Sequence, residues 1–323
     1  MWPYSLRRLA LISLFLASSL LLFSCDNGAK KEGQTDASGT AETELSLKIG
    51  AMPSMDILPF LVAQKTGVYD SLGLQLEIVK FYSANDRDAA LQSHNVEGTV
   101  IDYTGAMMQE AAGIPVRLVM KLDGYFLLMA RPGLEAASAS DLKGTRIGVS
   151  SNTVIEYATD LMLREAGLSS KDISKVEVNK IPLRMEMLRG GKMDATVLPD
   201  PFITITQAEG MKALASTQEM GISVTGLLLT QETLTEKADA VALLLQGYDL
   251  GVDYIRSHSI SALKEILTSE LGFPEALAEK TVLPAFTHRE KPSREDIEGT
   301  HRWLLEKGLV PEVYSPDSLV ADL

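Results

Sequence analysis

Asp141-Leu-Lys-Gly-Thr-Arg-Ile-Gly-Val149 runs on into Ser150-Ser-Asn-Thr153 and then into Val154 to Ala166. Asp141 to Gly144 reads as a turn, and Arg146 to Val149 as a short apolar strand of the kind buried on both faces of a sheet. Residues 150–153 form a polar loop. Val154 to Ala166 reads as a helix closed by Gly167, because glycine accepts the left-handed conformation that ends helices. A strand that passes through a short polar loop into a helix is half of a βαβ unit, so this stretch predicts a mostly parallel α/β sheet.

The same pattern extends in both directions. Upstream, strands are expected at Leu45 to Gly50, Leu74 to Phe81, Gly98 to Ile101 and Val116 to Lys121. Helices are expected between them at Ile57 to Thr66, Asp86 to Gln92 and Tyr103 to Ala112, with Gly67 and Gly113 as stops. Just before the stretch, Tyr125 to Arg131 reads as a strand; downstream, strands fall at Val176 to Asn179, Ala195 to Leu198 and Val224 to Thr230, and helices at Leu183 to Arg189 and Phe202 to Glu209. Beyond Thr233 the texture is helical. Thr233-x-x-Glu236 has the form of a capping box opening a helix to about Arg256. Pro274 suits a first helical position, and Pro292-Ser293 opens a last helix that runs to Lys307. The reading is two α/β modules followed by a helical part, with no solenoid-type repeat.

The N-terminus belongs to neither module. Arg7-Arg8 precede an apolar run from Leu9 to Phe23, and Ser24-Cys25 follow. A basic start, an apolar stretch of about 14 residues and small residues before a cut site describe a secretory signal, residues 1–24. A membrane span needs roughly 20 apolar residues. Residues 26–44 contain no large apolar side chain and cannot offset the entropy of ordering, so 25–44 reads as a flexible tether. Cys25 is the only cysteine. Leu22-Phe23-Ser24-Cys25 resembles the lipobox of bacterial lipoproteins at Leu22, Ser24 and Cys25, while Phe23 departs from it. That resemblance implies acylation of Cys25 and a lipid anchor on the outer face of the cell or inner membrane; the alternative is an ordinary cleaved signal with an incidental cysteine.

The formal charge is −13, and removing Arg7 and Arg8 with the signal takes it to about −15. With no basic cluster to offset it, such a surface repels nucleic acid, which is not expected as a partner. Hydrophobic residues make up 46% of the chain, enough for a core without disulfides.

Four loops each follow a strand and precede a helix: Pro53-Ser54-Met55-Asp56, Asp102-Tyr103-Thr104, Ser150-Ser151-Asn152-Thr153 and Pro199-Asp200-Pro201-Phe202. Ligands of open α/β sheets bind beyond the carboxyl ends of the strands, where helix N-termini present unpaired N–H groups. The candidate ligand-binding residues are therefore Ser54, Met55, Asp56, Asp102, Tyr103, Ser151, Asn152, Thr153, Asp200 and Phe202, with Tyr125 as a surface for stacking. Ser151, Asn152, Thr153 and Asp56 are equally good caps of the helices they precede, and Asp102, at a strand end, could serve only to bind backbone N–H groups. The loops carry Asp56, Asp102, Asp200 and, one turn on, Glu156, but no lysine or arginine. Carboxylates facing an anion repel it, so a nitrogenous heteroaromatic or amine is favoured over an oxyanion.

The turn-strand-loop stretch above, together with Met187-Leu-Arg-Gly-Gly-Lys-Met-Asp194-Ala195, Leu198-Pro-Asp-Pro-Phe202, Ala63-Gln-Lys-Thr-Gly-Val-Tyr69 and Leu72-Gly-Leu74, resembles the solute-binding proteins of ABC importers for nitrate, sulfonates, taurine and thiamine-pyrimidine precursors. The resemblance covers roughly Leu45 to Tyr254. It implies a two-lobed type II periplasmic-binding fold, with 45–125 plus 231–323 as lobe I and 126–230 as lobe II. It also implies a small-molecule ligand in the inter-lobe cleft, an ABC permease as partner, and action as a monomer.

Some enzymes of cofactor-precursor metabolism share this fold, and a sensory binding protein without transport is a further alternative. An enzyme should show a nucleophile with its base or a metal cluster. His94, His258, His288 and His301 are scattered, without HExxH spacing, and there is no Gly-x-Ser-x-Gly elbow. Gly190-Gly191-Lys192 leads from a helix into a strand, the reverse of a phosphate loop. No catalytic residue, metal or cofactor is expected.

Overall fold

The structure is a computed structural model and describes residues 45–322. The expected signal (1–24), Cys25 and the tether (26–44) lie outside them.

The chain first builds β1 (Leu45–Ala51), α1 (Leu58–Lys65), α2 (Val68–Leu72), β2 (Leu74–Lys80), α3 (Ala84–Gln92), β3 (Gly98–Asp102), α4 (Tyr103–Ala111) and β4 (Val116–Leu122). It then forms β5 (Leu127–Ala130), β6 (Arg146–Val149), α5 (Val154–Glu165), β7 (Ser174–Glu177), α6 (Ile181–Arg189), β8 (Ala195–Leu198), α7 (Phe202–Ala208) and β9 (Lys212–Ser216). It closes with β10 (Thr225–Thr230), α8 (Gln231–Glu236), α9 (Ala238–Ser257), α10 (Ile260–Ser269) and α11 (Arg294–Glu306).

The strands form two five-stranded sheets, ordered β2-β1-β3-β10-β4 and β7-β6-β8-β5-β9. In each, one strand runs antiparallel to its two neighbours: β10 between β3 and β4, and β5 between β8 and β9. The remaining pairs are parallel, as the βα alternation requires. This is the two-lobed, mostly parallel α/β architecture expected from the sequence.

The chain passes to the second sheet between Leu122 and Leu127 and returns between Ser216 and Thr225. The return corrects the expected boundary at Thr230. β10 pairs through Thr225 with both Asp102 of β3 and Leu122 of β4, so it belongs to the first lobe. Its apolar run Leu227-Leu228-Leu229 announces a buried strand but carries no information about which sheet buries it.

Three further expectations change. The capping box at Thr233 is not formed. Thr230 caps α8 instead, its Oγ1 accepting from Thr233 N at 3.1 Å, and the helix breaks at Lys237 before α9 begins. Pro274 opens a turn rather than a helix, its carbonyl accepting from Leu277 and Ala278. The strand expected at Val176 to Asn179 ends at Glu177, which leaves Asn179 in the following loop.

Packing explains the lobes. In the first, α9 packs closely on both α1 and α2: Gly247 faces Tyr69 of α2, Gly251 faces Pro59 of α1, and a Cβ at Gly251 would lie 2.1 Å from the Pro59 carbonyl oxygen. A second core joins the lobes: Ile101, Tyr103 and Met107 pack with Ile147, Val149 and Ile155. The C-terminal α11 seals it. Trp303 sits 5.3 Å from the Tyr157 ring and donates its Nε1–H to Asp160 at 3.0 Å. A third core, with Met129, Ile181, Met185 and Phe202, fills the far side of the second lobe. Among the described residues no helix is long and apolar enough to cross a membrane.

Candidate functional site

The ends of β1, β3, β6 and β8 converge on a narrow cavity of about 50 Å³ between the two sheets. The first lobe contributes Met52, Ser54, Asp56, Arg87, Asp102 and Thr225. The second contributes Ser150, Thr153, Asn179, Ile181, Arg184 and Pro199, and Phe126 lies where the chain crosses. Every one of the four strand-to-helix loops thus reaches the cleft, as open α/β sheets favour.

Asp56 sits in the single 3-10 turn Met55–Ile57 that follows the extended Ser54. It is 2% exposed, and its Oδ1 has no hydrogen-bond partner. Burial pushes its carboxyl from 3.8 to about 6, against a smaller opposing effect of the nearby Ser54 and Thr225 hydroxyls. Thr225 Oγ1 is also buried and unpartnered. Gly124, in the first crossing, lies flat on this carboxyl: a Cβ there would fall 2.9 Å from Asp56 Cβ.

Asp102 is engaged by its own lobe. Its Oδ1 caps α4, accepting from Gly105 N at 2.8 Å and from the Thr104 hydroxyl. Its Oδ2 lies 3.4 Å from Arg87 Nη2. Arg87, buried on α3, also reaches Asp88 Oδ1 at 2.8 Å. Burial disfavours the Arg87 charge, but the two carboxylates outweigh it and raise its pKa.

Arg184 differs. It is 0% exposed on α6, and only Nη1 is used, donating to the Val178 carbonyl at 2.9 Å. Nε and Nη2 are buried without a partner. Burial pulls its pKa down to about 10, with Glu177 a weaker opposing influence.

Of the expected contacts, Ser54, Asp56, Asp102 and Thr153 line the cavity, with Thr153 also capping α5 through Ile155 N at 3.2 Å. The others are placed elsewhere. Met55, Tyr103 and Phe202 are core side chains, and the Tyr103 hydroxyl meets Ser223 Oγ at 3.3 Å. Ser151 is exposed and its amide is held by Glu177, while Asn152 has φ 64° and donates its N–H to Glu156. Glu156 itself is paired with Lys175 at 2.7 Å and Lys307 at 2.5 Å.

Asp200 and Tyr125 form a polar bridge outside the cleft. Asp200 Oδ1 accepts from Thr204 N at 2.9 Å, and its Oδ2 lies 3.3 Å from both the Tyr125 hydroxyl and Thr281 Oγ1. Tyr125 OH also lies 3.3 Å from the Val282 carbonyl. The bridge ties the second lobe to the segment after α10. Burial raises the Asp200 pKa despite these bonds.

The four loops carry no basic side chain, yet Arg87 and Arg184 line the cleft. Both come from helices, not from the loops. Their sequence signal is position: Arg184 shares the buried stripe of Ile181, Met185 and Leu188, and Arg87 that of Ala84, Ala90 and Leu91. Chemically, the first-lobe wall offers hydrogen-bond acceptors at Asp56, and the second offers two N–H donors at Arg184.

Comparison with known proteins agrees with this architecture. A protein of Brachyspira hyodysenteriae, provisionally named an ABC transporter periplasmic binding protein, is 22% identical over 273 residues, covering 79% of this chain and 75% of its own. A Haemophilus influenzae protein provisionally named for thiamine biosynthesis is 24% identical over 294 residues, covering 84% and 90%. The periplasmic aliphatic sulphonate binding protein SsuA of Escherichia coli superposes with a TM-score of 0.73 at 16% identity, covering 86% of this chain and 92% of that one. The desulfurization enzyme DSZB also shares the fold, with a TM-score of 0.64 at 17% identity over 86% and 96%. The NMT1/THI5 like family model matches residues 54–262, and the chain belongs to that family.

Proposed function

We propose that this member of the NMT1/THI5 like family is an exported solute-binding protein, which holds a small organic molecule in the inter-lobe cleft and delivers it to an ABC permease. The observation that carries the reading is the cleft itself: unpartnered, buried polar groups on both walls, Asp56 and Thr225 from one lobe and Arg184 from the other. A molecule that satisfies both walls binds the closed arrangement better than the open one and so shifts the protein toward closure. The relatives named as periplasmic binding proteins and the shared fold support the same role. The signal-like N-terminus and Cys25 fit export and a lipid anchor, with residues 26–44 as the tether.

An enzyme of this fold is the second reading, favoured by the likeness to DSZB. The polar side chains of the cleft lining are aspartates, arginines, hydroxyls and one asparagine, which suit hydrogen bonds to a solute. Uptake measurements separate the two. Cells lacking the chain should take up less of the solute recovered from the purified protein, and the purified protein should return that solute unchanged. Conversion of the solute by the protein alone would contradict the proposal.

A further inference from the structure

Two arginines line the cleft, and they differ in one respect that points to a ligand. Arg87 is buried but fully countered by Asp88 and Asp102. Arg184 is as deeply buried, yet makes one hydrogen bond, to a neutral carbonyl. A buried guanidinium without an anionic partner is among the least favourable arrangements a protein interior holds. The unused atoms are Nε and Nη2. These form the side-on edge of the guanidinium, whose two parallel N–H groups match the two oxygens of a carboxylate.

The cleft itself does not supply that anion. Of the two carboxylates in its lining, Asp102 Oδ2 is occupied by Arg87. Asp56 makes no bond to Arg184, and its Oδ1 is itself unpartnered. Two groups of opposite charge therefore face one cavity from opposite lobes, each lacking the partner the other could in principle be. Thr225 Oγ1 stands beside Asp56, near enough to lower its pKa but outside hydrogen-bond geometry, and so can turn to a ligand instead.

From this we infer that the cleft selects a two-ended solute: a carboxylate-type anion seated on the Nε/Nη2 edge of Arg184, and an N–H donor seated on Asp56 and Thr225. Amino acids and amino-substituted aromatic carboxylates are of this class. The inference rests on the solute-binding reading and gives it a direction. The sequence-based preference for amines over oxyanions describes one end of such a molecule, and Arg184 supplies the other. A ligand of this kind also bridges the lobes, so the same contacts that select it hold the cleft shut.

The test uses two matched probe sets, propylamine, propionate and β-alanine, then aniline, benzoate and 4-aminobenzoate. Thermal melting is followed at constant ionic strength for the wild type, Arg184→Met and Arg184→Lys. In the wild type the two-ended member of at least one set should raise the melting temperature most. Arg184→Met should weaken carboxylate probes by about tenfold or more, with Arg184→Lys intermediate because it keeps the charge and loses the fork. Without any probe, Arg184→Met should melt a few degrees above the wild type, since a buried charge offset only weakly by Glu177 and bonded to no anion is gone. A lower melting temperature would mark Arg184 as a structural cation and overturn the inference. So would equal stabilisation by the amine-only probes, undiminished carboxylate binding in Arg184→Met, or no shift with any probe. A solute that co-purifies with the wild type but lacks an anionic group would sink this inference and leave solute capture standing. The absence of any captured solute would sink capture itself.

Discussion

Replacing Asp56 by asparagine should stabilise the solute-free protein at neutral pH and leave it unchanged in acid. In the unfolded chain the carboxyl titrates near 3.8, and burial holds it at about 6 in the fold. A raised carboxyl pKa means that the native state keeps its proton while the unfolded state gives it up. Stability linked to this group is therefore fully present below about pH 3.8 and is lost as pH rises to about 6, after which the loss is constant. At about 1.4 kcal/mol per pKa unit, the gap amounts to about 3 kcal/mol above pH 7. Asp56 is 2% exposed, so solvent screening takes little from this figure. Asparagine keeps the shape and removes the titration. Urea unfolding at fixed temperature, run on both proteins from pH 4 to pH 8, measures the difference while other titrating groups cancel. The variant should exceed the wild type by less than about 1 kcal/mol at pH 4 and by about 3 kcal/mol at pH 8. A gap independent of pH, or a variant less stable than the wild type at pH 8, would show that Asp56 is not a desolvated, under-partnered carboxyl.

Other perturbations test the surroundings. Arg87→Met should lower unfolding stability by about 3 kcal/mol in urea, because it strands Asp102 and Asp88 without their buried counter-charge. Gly251→Ala should cost at least about 1–3 kcal/mol by forcing α9 off α1, where the new Cβ would meet the Pro59 carbonyl at 2.1 Å; chemical denaturation reads it directly. Cys25→Ala should move the protein, expressed with its N-terminal segment, from the detergent phase to the aqueous phase in a temperature-induced phase separation; equal partition of both forms would exclude the proposed lipid anchor at Cys25.

Much of this architecture was written in local pattern. Arg146 to Val149 and Ala195 to Leu198 are short apolar runs ended by polar loops, and the structure makes both of them central strands. What local pattern does not carry is partnership. Leu227-Leu228-Leu229 reads as buried, but only the pairing of Thr225 with both Asp102 and Leu122 assigns β10 to the first sheet. β9 was missed because it is an edge strand, with Lys212 and Ala213 exposed and no clean apolar alternation. Of the residues read from loops after strands, Ser54, Asp56, Asp102 and Thr153 line the cavity between the sheets. The same loops also hold side chains that turn inward: Met55 and Phe202 pack into cores because the chain reverses there and one side of each turn faces the lobe. Arg184 lies a turn into a helix, beyond any loop-based search. An arginine on an otherwise apolar stripe was its one visible mark.

The proposed solute sits in the cleft between the lobes, touching Asp56 on one side and Arg184 on the other. Native mass spectrometry of the protein purified without denaturation tests it most directly, with the wild type and an Asp56→Asn, Arg184→Met double variant run together. The wild type should carry one small bound solute of the amino-carboxylate class, in equal stoichiometry with the chain and released on unfolding, and the double variant should lose it. A solute retained undiminished by the double variant, or a wild type that stays bare even after incubation with a small-molecule extract of cells, would contradict it.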